Sequence, residues 1–263
     1  MKHHSVIALL TDFSSSDSYV AAMKGVILSA CATAQIIDIS HSVKPQNTDE
    51  AAFILWSVYT YFPSGTIFIS VVDPGVGSKR NIICVKTNEY IFLAPDNGIL
   101  KFVLGSASVK SVRAVTNHKL FLNAVSNTFH GRDIIAPVAA KLANGLPLAK
   151  LGPAIKPKSG TERFVTVNPN IKKNYAGRII HIDHFGNIIT NLMLTPSSKN
   201  LKLQIRIGRQ SLNQIVQTYS DTKTKQAFML TGSTGSLEVS VRNGSAERSL
   251  RAKVNQIISL KVG

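Results

Sequence analysis

Acidic side chains are scarce in this chain. Its 263 residues include 14 Asp and Glu against 30 Lys and Arg, a formal net charge of +16 and a pI near 10.0. Cysteine is scarcer still. Cys31 and Cys84 make neither a metal-ligand spacing nor a disulfide framework, which excludes a stapled secreted scaffold and fits a reducing cytoplasm. No apolar run is long enough to cross a bilayer. The short run within Met1–Leu10 lacks a small-residue cleavage site, so it reads as a first strand and not as a secretory leader. The seven histidines contain no HxxxH or HxH cluster, only the adjacent His3–His4 and the isolated His181 and His184, so a metal site is not expected. Long Lys/Arg blocks are missing too. The basic residues are scattered and no base-stacking platform accompanies them, so the charge reads as a solvated exterior, with nucleic acid or an anionic surface as the weaker alternative.

What is present is ample core for one large domain or two modest ones, at 44% hydrophobic residues and a mean hydropathy of +0.11. Ser5–Thr11 is a near-continuous apolar run, the pattern of a strand covered on both faces. A helix is predicted from Ser18 to Ala30, a strand over Ala34–Ile39, and a helix from Asn47, with Asn as cap and Glu50 three residues later, to Tyr61 before Pro63. Gly65–Val72 reads as a strand, Asn81–Thr87 and Tyr90–Leu93 as a hairpin, and Asp133–Asn144 as a helix. This alternation predicts an α/β N-terminal domain, residues 1–160, with a mostly parallel sheet. Residues 161–175 read as a linker. Residues 176–263 carry short strands, at Gly177–Ile182, Ile188–Leu192, Leu201–Ile207, Ala227–Leu230, Leu237–Val241 and Gln256–Lys261, which predict an all-β, barrel-like C-terminal domain.

In so basic a chain, carboxylates at strand ends are better placed for hydrogen bonding than for solubility, and Asp12, Asp38, Asp73, Asp96 and Asp183 all fall there. Asp12, closing Leu9-Leu10-Thr11-Asp12-Phe13, suits a ribose diol and equally a turn. Asp73-Pro74-Gly75-Val76-Gly77 is a glycine turn too sparse for a dinucleotide fingerprint. Arg80, seven residues on, could simply bridge back to Asp73. His130, in Thr128-Phe129-His130-Gly131-Arg132-Asp133, titrates nearest neutrality of any side chain but alone would more often be a satisfied core histidine. Asp183-His184-Phe185-Gly186-Asn187 is either an ordinary turn or a ring and an amide placed to meet a flat heterocycle.

Taken in order, Val-Asp-Pro-Gly-Val-Gly, Phe-His-Gly-Arg-Asp and Asp-x-Phe-Gly-Asn, with Pro95-Asp96-Asn97-Gly98 between, resemble the S-adenosyl-L-methionine hydroxide adenosyltransferases, relatives of the fluorinases and chlorinases. The resemblance runs from Leu9 to Ala246. It implies an α/β domain followed by a β-barrel, and a homotrimer with its sites between subunits. The implied reaction is hydrolysis of S-adenosyl-L-methionine, as substrate and with no cofactor, to adenosine and L-methionine. It implies Asp73, Arg80 and His130 as the catalytic set, Asp12 on the ribose, and Asp17 and Asp183 around the methionine end. Phe185 and Tyr219 would sandwich adenine, with Asn187, Ser233, Glu238 and Val241 on its edge. The alternatives are halide-dependent adenosyl transfer, or a non-enzymatic adenosine- or RNA-binding module. Gly131 stands where the halogenases carry a small hydroxyl donor, and their inserted loop is absent, which favours water. Gly232 replaces the family's usual Asn, and Gln46 a bulkier residue.

Overall fold

In the computed structural model, which describes residues 5–195, 202–223 and 225–263, the chain divides into two units, Met1–Glu162 and Arg163–Gly263. The first is built on a six-stranded sheet of order β2-β1-β3-β5-β4-β6. Its strands are β1 (Val6–Thr11), β2 (Gln35–Ser40), β3 (Ile67–Val71), β4 (Ile82–Thr87), β5 (Ile91–Pro95) and β6 (Val109–Ala114). The four strands β2, β1, β3 and β5 run parallel, and β4 joins β5 and β6 antiparallel. This is the expected mostly parallel sheet.

Alternation along the strands decides which residues meet which helix. Ile7, Leu9, Ile67, Ile69 and Val71 pack with Met23 and Ile27 of α1 (Tyr19–Ala30) and with α4 (Ala136–Ala143). Ala8, Leu10, Phe68 and Phe92 point the other way, to Ala51 and Leu55 of α2 (Thr48–Val58) and to Val103 of α3 (Lys101–Ser106). Phe68 and Phe92 are fully buried and stacked, with centroids 5.0 Å apart.

Asn47 caps α2 as expected, its side chain accepting from the Glu50 amide at 3.1 Å. Glu50 does not close the reciprocal box; its carboxylate accepts from the Lys44 amide and the Asn47 side-chain amide. The α-helical hydrogen bonding of α2 stops at Val58, and a 3₁₀ turn carries the chain to Tyr61. The helix expected from Asp133 starts two residues early, at Gly131, as a π-helical turn to Ile135 that becomes α4. The short helix α3 and the edge strand β6, with its mostly exposed first half, carry too little apolar periodicity to be read from sequence.

The second unit is antiparallel and barrel-like, apart from β7 (Val165–Val167), which pairs parallel to β9 (Ile188–Leu194). The order is β11-β10-β14-β8-β9-β13-β12. The remaining strands are β8 (Asn174–Ile182), β10 (Leu203–Ile207), β11 (Gln210–Leu212), β12 (Ala227–Thr231), β13 (Ser236–Val241) and β14 (Ile257–Val262), with α5 (Ala246–Leu250) before the last. The path nearly closes where Gln214 and Val216, just past β11, hydrogen-bond to Met229 of β12. Leu203, Ile205, Ile207, Ile258 and Leu260 fill the interior. Leu201, the expected start of a strand, and His3–His4 lie outside the described residues.

Phe92 touches Phe68 face to face and Tyr59 edge-on. Phe92→Ala is expected to lower unfolding free energy by about 3–5 kcal/mol, and Phe92→Leu by less, read from urea titrations of the two variants.

Candidate active site

In the first unit β1 and β3 lie side by side, with Thr11 opposite Val71. The chain leaves β1 through α1 on one face of the sheet and reaches β3 through α2 on the other. Parallel strands whose connections diverge leave a crevice beyond their carboxyl ends. Asp12 is one residue past the end of β1 and Asp73 two past the end of β3, so the crevice is walled by carboxylates. It is a cleft of about 470 Å³, and Asp12, Asp17, Asp73, His130 and Gly131 all line it.

Arg80 closes the back of this cleft. Its Nε donates to Asp73 Oδ1 at 2.7 Å and its Nη2 to Oδ2, a two-pronged ion pair with side chains only 11% and 7% exposed. The turn between them is forced by Gly77. This residue has φ of +79°, and a Cβ there would lie 2.6 Å from the Asn127 carbonyl oxygen. That close approach seats the 73–80 turn against the 126–130 loop and brings His130 in. His130 Nδ1 is 3.4 Å from Arg80 Nη2. Burial and then the Arg80 charge push the His130 pKa below 6.5, against the pull of Asp73, Asp133 and the Ser126 backbone. The ring is therefore neutral at pH 7, with Nδ1 facing a permanent donor.

The 126–133 segment is held in turn by Asp133, which is fully buried. Its carboxylate accepts from the Ser126 amide and hydroxyl and from Arg132 Nε, at 2.8, 2.6 and 2.6 Å. Burial works to raise its pKa, but these bonds outweigh that and lower it. On the other rim, Asp12 Oδ2 accepts from the Gln46 amide at 2.8 Å, with Gln46 at φ of +65°. Beneath Asp12, Thr11 Oγ1 meets His41 Nδ1 at 2.8 Å, and His41 Nε2 lies 3.0 Å from Asp38, itself paired with Lys24. Asp38, expected at a strand end, instead lies within β2, which runs on to Ser40, and from there braces the site from below. Sequence reasoning missed this brace, and it missed the apolar wall of Phe13, Tyr19 and Phe129, whose rings meet edge-on or tilted at 5.2–5.7 Å. Spacing alone marks neither.

The second unit has its own cleft, of about 610 Å³, lined by Asp183, Phe185, Asn187, Tyr219 and Val241, together with the 242–244 turn. Asp183 builds the turn that presents the first ring. Its Oδ1 accepts from the Phe185 and Asn187 amides, both at 2.9 Å, and its Oδ2 from the Asn187 side chain. Phe185 is left 74% exposed. The second ring is fixed from behind. Glu238, nearly buried, accepts from Tyr219 Oη at 2.6 Å and from Ser240 at 2.8 Å. Burial, then this bond to a carboxylate, raises the Tyr219 pKa, so the phenol keeps its proton. Glu238 does not line the cleft, and neither does Ser233, which is exposed on the β12–β13 turn. Gly232 is a fitted position, since a Cβ there would lie 2.6 Å from Glu238 Oε2.

Both halves match a described family. Residues 7–152 match its N-terminal domain, the SAM hydroxide adenosyltransferase N-terminal domain, and residues 177–259 match its C-terminal domain. The chain belongs to the SAM hydroxide adenosyltransferase family. Each match spans one of the two clefts. A protein of Salinispora tropica named (R)-S-adenosyl-L-methionine hydrolase is 35% identical over 91% of this chain and 91% of its own length. A fluorinase of Actinoplanes is 29% identical over 74% of each. A crystal structure of an uncharacterised conserved protein from Thermotoga maritima superposes with a TM-score of 0.85 at 34% identity, over 97% of this chain and 99% of that one.

The family's Phe-Gly-Asn turn has one strict steric requirement here. Gly186 has φ of +82°, and a Cβ would fall 2.2 Å from the hydroxyl of Ser245, the residue that caps α5. Gly186→Ala is expected to cost about 1–3 kcal/mol in thermal or urea unfolding. Adding Ser245→Gly, which removes the clash but not the strained φ, should recover part of the loss.

Proposed function

We propose that this chain hydrolyses S-adenosyl-L-methionine, with water attacking C5′ to give adenosine and L-methionine. The observation that carries the reading is the buried Asp73–Arg80 pair with neutral His130 at the mouth of the β1–β3 crevice. The similarity to a named S-adenosyl-L-methionine hydrolase along nine-tenths of the chain supports it.

Sulfonium makes C5′ an electrophile without help from the protein, and methionine departs as a neutral thioether. A C5′–O bond forms as the C5′–S bond breaks, the electron pair stays on sulfur, and one water proton is released. The residues have to hold one water in line and strip its other partners, and orientation of this kind can supply about 7–11 kcal/mol. Asp73 accepts the water's hydrogen bond. Arg80 takes one lone pair of each Asp73 oxygen and leaves the others. His130, with Nδ1 turned to a guanidinium, stays neutral and holds Arg80 in line. Asp12 keeps Oδ1 for the ribose hydroxyls, and Asp17, exposed in the same cleft, meets the methionine ammonium.

Adenine lies between Phe185 and Tyr219, with the Asn187 carbonyl oxygen left to accept from its amino group. Glu238 holds Tyr219 and Val241 forms the floor, while Ser233, exposed on the β12–β13 turn, lies outside this cleft. Asp183 shapes the turn facing the methionine end. The two clefts of one site come from neighbouring subunits of a homotrimer, so that each cleft supplies half of the substrate's contacts. The reaction needs no cofactor, and two buried free thiols suit the reducing cytoplasm.

Incubation of the purified protein with S-adenosyl-L-methionine should give equal amounts of adenosine and methionine on chromatography. Asp73→Asn and His130→Ala should each lower kcat by about 10²–10⁴. Since the folded His130 pKa lies below 6.5, its ring is neutral above that value, and protonation would set a second cation against Arg80. The rate should fall only as pH drops below 6.5, and His130→Asn should lack that acidic limb. A folded protein that turns over no substrate and binds no adenosine sinks the reading.

Shared sites have a separate consequence. His130→Ala and Phe185→Ala proteins, each inactive alone, should regain activity when co-expressed, because some interfaces then join two intact halves. No recovery in co-purified mixed oligomers would place each site within one chain.

A further inference from the structure

The family's reaction leaves the charge unexplained, and the charge is uneven. Residues 163–263 hold 15 of the 30 Lys and Arg but only 4 of the 14 Asp and Glu. Those four acids have places of their own: Asp183 in its turn, Asp221 capping the Thr218 turn, Glu238 behind Tyr219 and Glu247 in the first turn of α5. The basic residues are scattered in sequence, but strand pairing gathers some of them. On β10 and β14 the inward residues are buried and the outward ones exposed in strict alternation. Outward Gln204 stands opposite Lys261, and Arg206 opposite both Ser259 and Ser211. Lys261 in turn faces Asn174, and Ile257 faces Arg178. Lys202 extends the outward row of β10, paired through its carbonyl with the Gly263 amide.

The result is one sheet face carrying Lys202, Arg206, Lys261 and Arg178, with Gln204, Ser259 and Asn174 and the apolar Ala176 and exposed Ile257 among them. Among the described residues no acidic and no aromatic side chain stands on it. Ordinary soluble surfaces intersperse both signs, so a one-sign face separate from the substrate clefts asks for a polyanion. We propose that this face binds the backbone of double-stranded RNA. Lacking rings, it has no means to stack unpaired bases. The wide, shallow minor groove of an A-form helix lets Gln204, Asn174 and Ser259 meet 2′-hydroxyls while the four cations meet phosphates. The minor groove of B-DNA is narrow and offers no such hydroxyl. A polar cleft of about 390 Å³, which Ser211, Gln214 and Lys225 help to line, continues the surface around the β11 edge.

Fluorescence anisotropy with an RNA hairpin, a DNA duplex of the same sequence, a single-stranded RNA and anionic vesicles tests this. The hairpin should bind with Kd on the order of micromolar and a log–log salt slope of about −3 to −4, as four phosphate contacts imply. Lys202→Glu/Arg206→Glu/Lys261→Glu should weaken hairpin binding at least ~100-fold. The milder Gln triple variant should weaken it about tenfold, with circular dichroism and adenosine formation unchanged in both. Equal binding by the triple variants, equal or tighter binding of DNA, single strands or vesicles, or no binding at all overturns the proposal. Since the clefts are untouched, none of these outcomes bears on the hydrolase reading.

Discussion

A carboxylate and a guanidinium at the mouth of a sheet otherwise packed with Ile, Leu, Val and Phe must satisfy one another, because either alone would be stranded in poor solvent. Asp73 and Arg80 do so at both oxygens, and the requirement propagates outward. To reach back over seven residues, the chain has to turn at Gly77 with its backbone against the Asn127 carbonyl. That contact holds the 126–130 loop, which the buried Asp133 has already ordered through Ser126. His130 then has one place to go, beside Arg80. The proposed catalytic set is one ion pair and the turns needed to bury it.

The second unit uses carboxylates for the same end with less charge at stake. Asp183 and Glu238 are not aimed into the cleft as bare anions. One is saturated by the backbone of the turn it shapes, and the other by a phenol and a serine hydroxyl. Each fixes a ring that lines the cleft. This division of labour is compatible with the proposed recognition of a cationic substrate by a basic domain. Arg242 at the cleft is held by the Ser220 and Thr222 carbonyls, and part of the surplus charge lies elsewhere, on the outward rows of β10 and β14.

Much of this could be read in one dimension where the physics is local. Apolar runs ending in Asp marked β1 and β3, since a doubly covered strand must be apolar throughout and its end is where polarity resumes. The Asn47 cap and the Phe-Gly-Asn turn were legible because both act within a few residues. What escaped depends on chain segments meeting. The π-helical turn at Gly131 answers to packing against Met23 and Val71 and not to propensity. The Thr11–His41–Asp38 brace ties the end of β1 to β2 and the loop after it, thirty residues on. The contribution of Glu238 is invisible until Tyr219 is seen to lean on it, and the basic face exists only through strand register.

Register also bears on the proposed choice of water as nucleophile. A halide entering the crevice sheds hydration and needs donors to replace it. Around Gly131 the nearest groups are the Met23 sulfur at 3.3 Å from a Cβ position, with Phe129 and Val71 at 3.5 Å, none of them a donor. A serine there would press on Met23 before it could serve an anion. Water, by contrast, brings its own donors and needs an acceptor, and Asp73 presents one two residues beyond the end of β3. The same buried carboxylate that would repel chloride attracts the water's protons. On the proposed reading, preference for oxygen over halide follows from the sign of the charge turned toward the cleft, which Asp73 lines and Arg80 does not.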